Sequence, residues 1–234
     1  MTARRARKRK GVSGAAVRGT GPSARGTGRP APRTGRPARP APGTASPGTA
    51  SPRTASPARA AFYKHPLALV ESRAIGPGTR VWAWAHVMAG ARVGADCNIG
   101  EHCFIESGVV LGDRVTVKNG VAVWQGVTAE DDVFLGPNAV LTNDLRPRSK
   151  VYHDGVKKTL LKRGASVGAN ATLLCGITVG AYSMIGAGAV VTRDVPAQAL
   201  VVGNPGRVVG RVCRCGSPLK GRSASDQCAE CSVR

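Results

Sequence analysis

Four cysteines near the C-terminus carry the plainest chemical signal in the chain. Cys213 and Cys215 form a C-x-C pair and Cys228 and Cys231 a C-x-x-C pair, with twelve residues between them. In a reducing compartment such pairs favour a structural zinc site, with free thiols and disulfides as the competing states. Four thiolates would leave zinc no open position, so the metal would hold structure and do no catalysis. The four histidines offer less. A catalytic zinc of the carbonic anhydrase kind needs three converging imidazoles. Only His86 and His102 lie in the repetitive region described next, at a spacing that does not converge. His65 and His102 read as structural.

The elements that must position these residues follow a six-residue ruler. In VGANATLLCGITVGAYSMIGAGAVV, residues 167–191, an aliphatic side chain recurs at Val167, Leu173, Val179, Ile185 and Val191. Extended backwards, the same phase holds from Ile75 through Val81, Val87, Val93, Ile99, Ile105, Leu111, Val117, Val123, Ala129 and Leu135 to Leu141. It resumes at Leu161 and is expected to run on to Ala197. Seventeen of the 19 beats are Leu, Ile or Val, a regularity that neither a 3.6-residue helix nor a two-residue strand would produce. Four residues after a beat the side chain is small or β-branched, as at Cys97, Cys103, Val109, Val115, Val121, Ala171 and Ala189. This is the pattern of a parallel β-helix, three six-residue faces making one 18-residue triangular coil.

About six coils are expected. Residues 62–73 are expected to cap one end, and the segment from Val195 to about Val212 the other. The glycines directly after a beat, such as Gly94, Gly100 and Gly112, are expected to serve bends with unusual dihedral angles. Between Leu141 and Leu161 the spacing exceeds a multiple of six by two, so residues 142–159 leave the prism as a basic extruded loop. On this ruler Asn119, two residues after Val117, faces outward from a rigid wall, with Glu101 and Pro137 as its column neighbours.

The net charge of +21 suggests a nucleic-acid binder until its placement is counted. Residues 1–60 contain 14 of the 34 basic residues and no acid; residues 61–234 hold 20 basic against 13 acidic, a modest +7. The first sixty residues are Arg, Pro, Gly, Ala, Thr and Ser with almost no aliphatics, which predicts a disordered tail. A scaffold that binds nucleic acid or an anionic surface through this tail is the non-enzymatic alternative. The tail has no apolar core of a signal peptide, and no run approaches the roughly 18 apolar residues of a membrane span. A soluble, cytoplasmic protein is expected, organised as tail (1–60), β-helix (61–212) and Cys-rich extension (213–234).

Two stretches bring a family into view. The segment from RVWAWAHVMAG (80–90) to LTNDLRPRS (141–149), and TLLKRGASVGANATLLCGITVGAYSMIGAGAVVTRDVPAQALVVGNPGRVVG (159–210), resemble the hexapeptide-repeat acyltransferases. Within that family they resemble the sugar-nucleotide N-acetyltransferases that acetylate a 3-amino sugar for surface polysaccharide. The resemblance covers about residues 63–216. It implies a left-handed coil, a homotrimer with active sites between prisms, acetyl-CoA as acetyl donor and a UDP-linked 3-amino-2-acetamido hexuronate as acceptor.

It further implies that the Asn119 amide carbonyl holds the substrate amine and that departing CoA thiolate takes the proton. His86 matches a family histidine near sugar or cofactor. Ala169 and Ala187 would leave room for pantetheine, Thr192 and Arg193 would meet the adenosine end, and Arg207 would pair with a phosphate. Glu101, Lys118, Trp124, Gln125, Arg146 and Arg148 are the expected sugar-nucleotide contacts. His153, followed by Asp154 in the extruded loop, is a rival general base, by analogy with relatives that use a loop histidine. The family usually has His at Ala83, Asn at Gly120 and Tyr-Glu at Trp124 and Gln125. These departures keep open a dTDP-amino sugar or another small hydroxyl or amine acceptor.

Overall fold

A side chain every sixth position can stay buried only if the chain turns a corner at that same interval, and it does. The computed structural model describes residues 61–151, 155–219, 228 and 231. The tail 1–60 and the pair His153 and Asp154 lie outside the described residues.

The chain winds as a parallel β-helix. Its first face stacks Tyr63–Lys64, Arg80–Val81, Asn98–Ile99, Thr116–Val117, Phe134–Leu135, Ser166–Val167, Met184–Ile185 and Ala199–Val202. The second stacks Leu69–Val70, His86–Val87, Phe104–Ile105, Ala122–Val123, Val140–Leu141, Thr172–Leu173 and Val190–Val191. The third stacks Ala74–Ile75, Arg92–Val93, Val110–Leu111, Val127–Ala129, Thr159–Leu161 and Thr178–Val179. The register keeps the coil length expected from the ruler through most of the stack, so Ile99, Val117 and Leu135 lie in one column. The beats fill the prism, with Val117, Leu135, Leu161 and Val167 fully buried. The small side chains at Cys97, Cys103, Val109, Val115, Val121, Ala171 and Ala189 are buried beside them.

Four expectations are revised. Residues 62–73 are a coil and not a cap: Lys64 pairs with Val81 and Val70 with Val87, each a single position short of the regular coil. The ruler therefore starts earlier than Ile75, and the stack exceeds six coils. At the other end the beat does not reach Ala197, which is exposed. Val195 pairs with Val179 and Val201 with Ile185, so the last coil is shorter again, by two positions. The strand Arg207–Arg211 then doubles back antiparallel along Ala199–Val202.

The third revision concerns glycine. The left-handed backbone falls at the third position after a beat, at Trp84, Asp96, His102, Arg114, Asn138, Asn170 and Tyr182 among others. Glycines directly after a beat keep ordinary φ. They are required because the next coil is too close: a Cβ at Gly100, Gly112 or Gly168 would lie 2.5–2.6 Å from an atom of the coil above.

The extruded loop is shorter than the expected 142–159: the Thr142 hydroxyl still accepts Cys175 N–H of the next coil at 3.0 Å, and Thr159 is a buried residue of the strand Thr159–Leu161. Across it Leu135 pairs with Val167, and the prism resumes in register. Arg148 and Val151 bridge within it.

Candidate functional site

Residues singled out in the sequence collect along the two prism edges that flank the second face. On the edge between first and second faces, the coil register aligns Glu101, Asn119 and Pro137, then Ala169 and Ala187 beyond the loop. Asn119 is exposed, and its Oδ1 accepts the Glu101 backbone N–H at 3.2 Å. Equivalent positions on the third face do the same. Asp113 Oδ1 accepts from Ala95 N–H at 2.8 Å and Asp131 Oδ1 from Asp113 N–H at 3.0 Å. Asn119 is thus one rung of an inter-coil ladder, and an amide oxygen with two lone pairs keeps one for a second donor. Lys118 stands exposed beside it, and Ala169 and Ala187 leave the wall beyond it shallow. Lower on the edge, the Trp84 and His102 rings stack 4.9 Å apart. His65 Nδ1 accepts Leu67 N–H at 3.1 Å, so both structural histidines are accounted for.

On the edge between second and third faces, Trp124 and Thr192 share one column and Gln125 and Arg193 the next. His86 meets this edge across the second face. Its ring lies edge-on to Phe104 at 5.4 Å, and Phe104 lies 5.5 Å from Trp124. Glu71 Oε2 is 3.4 Å from His86 Nε2 and accepts Ala89 N–H at 3.2 Å. The Glu106 carboxylate accepts Gln125 N–H at 2.6 Å. Glu71 also lines a groove of about 650 Å³ with Arg73 and Arg92. Sequence reasoning missed Glu71, Phe104 and Glu106. The 18-residue ruler carried back one coil puts Glu71 in the Ala89 column, three positions from His86; the 17-residue first coil moves it to the Met88 column, within reach of the imidazole.

Thr192, Arg193 and Arg207 converge on a cleft of about 120 Å³ near the last coil. The short final coil and the returning strand bring Arg207 there. Arg146 and Arg148 remain exposed on the extruded loop, Arg148 Nη1 donating to Pro147 O at 3.0 Å. Within one chain the two edges are held apart by the second face.

The C-terminal cysteines do come together. All four Sγ atoms lie within 4.8 Å of one another. The Ser217 hydroxyl and N–H draw the Cys215 thiol down to about 6, while the neighbouring sulfurs push Cys231 up to about 12. In the prism, burial instead raises Cys97 and Cys103, as inert core thiols.

Comparison with known proteins agrees with this architecture. Residues 74–107 match the family model "Bacterial transferase hexapeptide (six repeats)", and residues 163–193 match "Hexapeptide repeat of succinyl-transferase". A dTDP-3-amino-3,6-dideoxy-α-D-galactopyranose 3-N-acetyltransferase from Aneurinibacillus thermoaerophilus is 53% identical over 158 residues, 68% of this chain and 82% of that enzyme. The chain belongs to the hexapeptide-repeat transferases. Among solved structures, it is similar to a variant of perosamine N-acetyltransferase from Caulobacter crescentus, in complex with CoA and GDP-perosamine, at 25% identity and TM-score 0.39. That match covers 65% of this hexapeptide-repeat chain and 58% of the other. The acetyltransferase domain of PglB from Neisseria gonorrhoeae, in complex with acetyl coenzyme A, is also 25% identical with a TM-score of 0.39. It is matched over 64% of this chain and 58% of its own.

Proposed function

We propose that this hexapeptide-repeat transferase moves the acetyl group of acetyl-CoA to the amine of a nucleotide-linked 3-amino sugar, in the synthesis of surface polysaccharide. The observation that carries this reading is the 53% identity, over 158 residues, with an enzyme named as a nucleotide-sugar 3-N-acetyltransferase. That relative favours a dTDP-linked 3-amino-dideoxyhexose over the UDP-linked hexuronate. The hexuronate is the second reading, with Lys118 as the cation for its carboxylate.

The residues suit the chemistry. The neutral amine donates one N–H to the free lone pair of Asn119 Oδ1, which orients its own lone pair toward the thioester carbonyl. A C–N bond forms as the carbonyl becomes tetrahedral. The C–S bond then breaks, and the proton from nitrogen leaves on the CoA sulfur. Pantetheine runs along Ala169 and Ala187, and the cleft of Thr192, Arg193 and Arg207 takes the phosphate-rich end. His86, held by Glu71, and the Trp124–Gln125 edge face the sugar nucleotide.

A homotrimer completes the site. The outward residues of the second face include Leu69, Phe104, Ala122, Val140 and Val190 and no acidic side chain, and Leu69 and Val140 are about half exposed. Packing this face against sister chains covers it. It also opposes the Asn119 edge of one copy to the Trp124 edge of the next. Among the described residues, no helix is long and apolar enough to cross a membrane.

The test is incubation of the full chain with acetyl-CoA and dTDP-, GDP- and UDP-linked amino sugars, following thiol release. Release that depends on a dTDP-3-amino sugar supports the reading, and release only with the UDP-hexuronate supports the second. Release with none of them overturns both.

A further inference from the structure

We propose that Cys213, Cys215, Cys228 and Cys231 hold one structural zinc ion that fastens the end strand Arg207–Arg211 to the outer wall of the first face. This inference is independent of the acetyl-transfer reading.

Each cysteine pair is built on a tight turn. Gly216 N–H donates to Cys213 O at 2.9 Å and Cys231 N–H to Cys228 O at 3.1 Å. Cys228 N–H also donates to Cys213 Sγ at 3.2 Å, the kind of outer bond that orients a ligand sulfur. Zinc–thiolate bonds of about 2.3 Å in a tetrahedron place the sulfurs roughly 3.8 Å apart. Here Cys215 and Cys228 Sγ are 3.5 Å apart, and none of the four lies beyond 4.8 Å from another. Two disulfides would be satisfied pairwise and need no fourfold convergence. An all-sulfur donor set selects a soft metal and excludes magnesium and calcium.

The segment also needs a fastener. After Cys213 its sequence offers little apolar material to bury, chiefly Leu219, Val233 and two alanines. Beyond the buried Val212 and Cys213, what docks it is polar or slight. Val212 N–H donates to Gln198 O at 2.8 Å and Leu219 N–H to Arg211 O at 2.9 Å. The Arg214 guanidinium lies 5.2 Å from the Tyr182 ring centroid, and Gly216 sits close to Met184. A zinc with four thiolates carries a net charge of −2, placed beside Arg211 and Arg214 in the chain. Fastening there fixes the strand that carries Arg207 to the cleft.

The full chain, purified without a metal-binding tag, is analysed for metals by mass spectrometry. One zinc per chain is expected. It should fall to background in Cys228→Ser/Cys231→Ser and persist in Cys175→Ala, which alters only a prism cysteine. Chelation should speed amide exchange in Arg207–Arg211 and leave the strands at Val117 and Leu135 unchanged. A metal-free chain that takes up no zinc, a chain loaded with iron instead, or zinc retained by the double variant would overturn the site. Zinc removal without faster exchange in Arg207–Arg211 would overturn the fastening.

Discussion

Asn119 is asked to do two things at once, and two substitutions separate them. Alanine removes both the ladder bond to Glu101 N–H and the acceptor for the substrate amine. The lost bond is 3.2 Å long on a partly exposed edge. Water replaces it, and the cost sits at the low end of the usual range, about 0.5 kcal/mol, or about 1–2 °C in Tm. The misoriented amine should lose on the order of 10²-fold in kcat.

Aspartate keeps the ladder, since Asp113 and Asp131 make the same bond at equivalent positions. It also puts a negative charge beside the amine. An opposite charge within hydrogen-bond reach raises the amine pKa by about 1–3 units, and each unit costs roughly tenfold in neutral nucleophile. N119D should therefore melt like the parent, turn over slowly at pH 7, and recover as pH rises through the new amine pKa. The assay is thiol release across pH, paired with thermal melts. A parental pH profile in N119D, or parental turnover in N119A, would refute the role.

Four further outcomes are expected. Arg207→Ala should raise KM for acetyl-CoA roughly 10- to 100-fold by losing a charge-assisted bond, with kcat little changed; an unchanged KM would remove it from the cleft's function. Gly100→Ala should destabilise by about 1–3 kcal/mol through overpacking, because its Cβ would lie 2.5 Å from Asn119 Oδ1; a parental chemical-denaturation curve would contradict this. Arg114 holds the Asp132 carboxyl below the usual carboxylate range, so the pair stabilises above about pH 4 and is lost as pH falls through the lowered value. R114A should then lower Tm slightly at pH 7 and progressively less under acid. Removing residues 1–60 should leave acetyl transfer undiminished; activity lost with the tail, together with salt-sensitive binding to nucleic acid, would favour the scaffold alternative.

The prism was readable because its physics is local and repeated. Each beat from Val81 to Val191 is an inward side chain with the same six-residue geometry, so one error could not propagate. Phase is lost where a coil changes length. The shortened first coil hid Glu71 beside His86, and the still shorter last coil moved the beat from Ala197 to Val195 and Val201. No periodic rule marks the deletion of a single position. The glycines after the beat were found for the wrong reason, since sequence cannot distinguish a left-handed φ from a neighbouring coil in close contact. The Asn119 column followed from counting by whole coils. The convergence of Thr192 and Arg193 with Arg207 did not, because it depends on a strand that turns back antiparallel. That the two edges stand apart in one chain required coordinates.

The central claim is that acetyl passes from sulfur to a sugar nitrogen on this prism. Its most direct test supplies carbonyl-labelled acetyl-CoA and a dTDP-3-amino-dideoxyhexose to the full chain and follows the label by NMR. A labelled amide on the 3-nitrogen, appearing in step with free CoA, is the predicted result. Label recovered as a sugar ester, as free acetate without amide, or still on sulfur would contradict it.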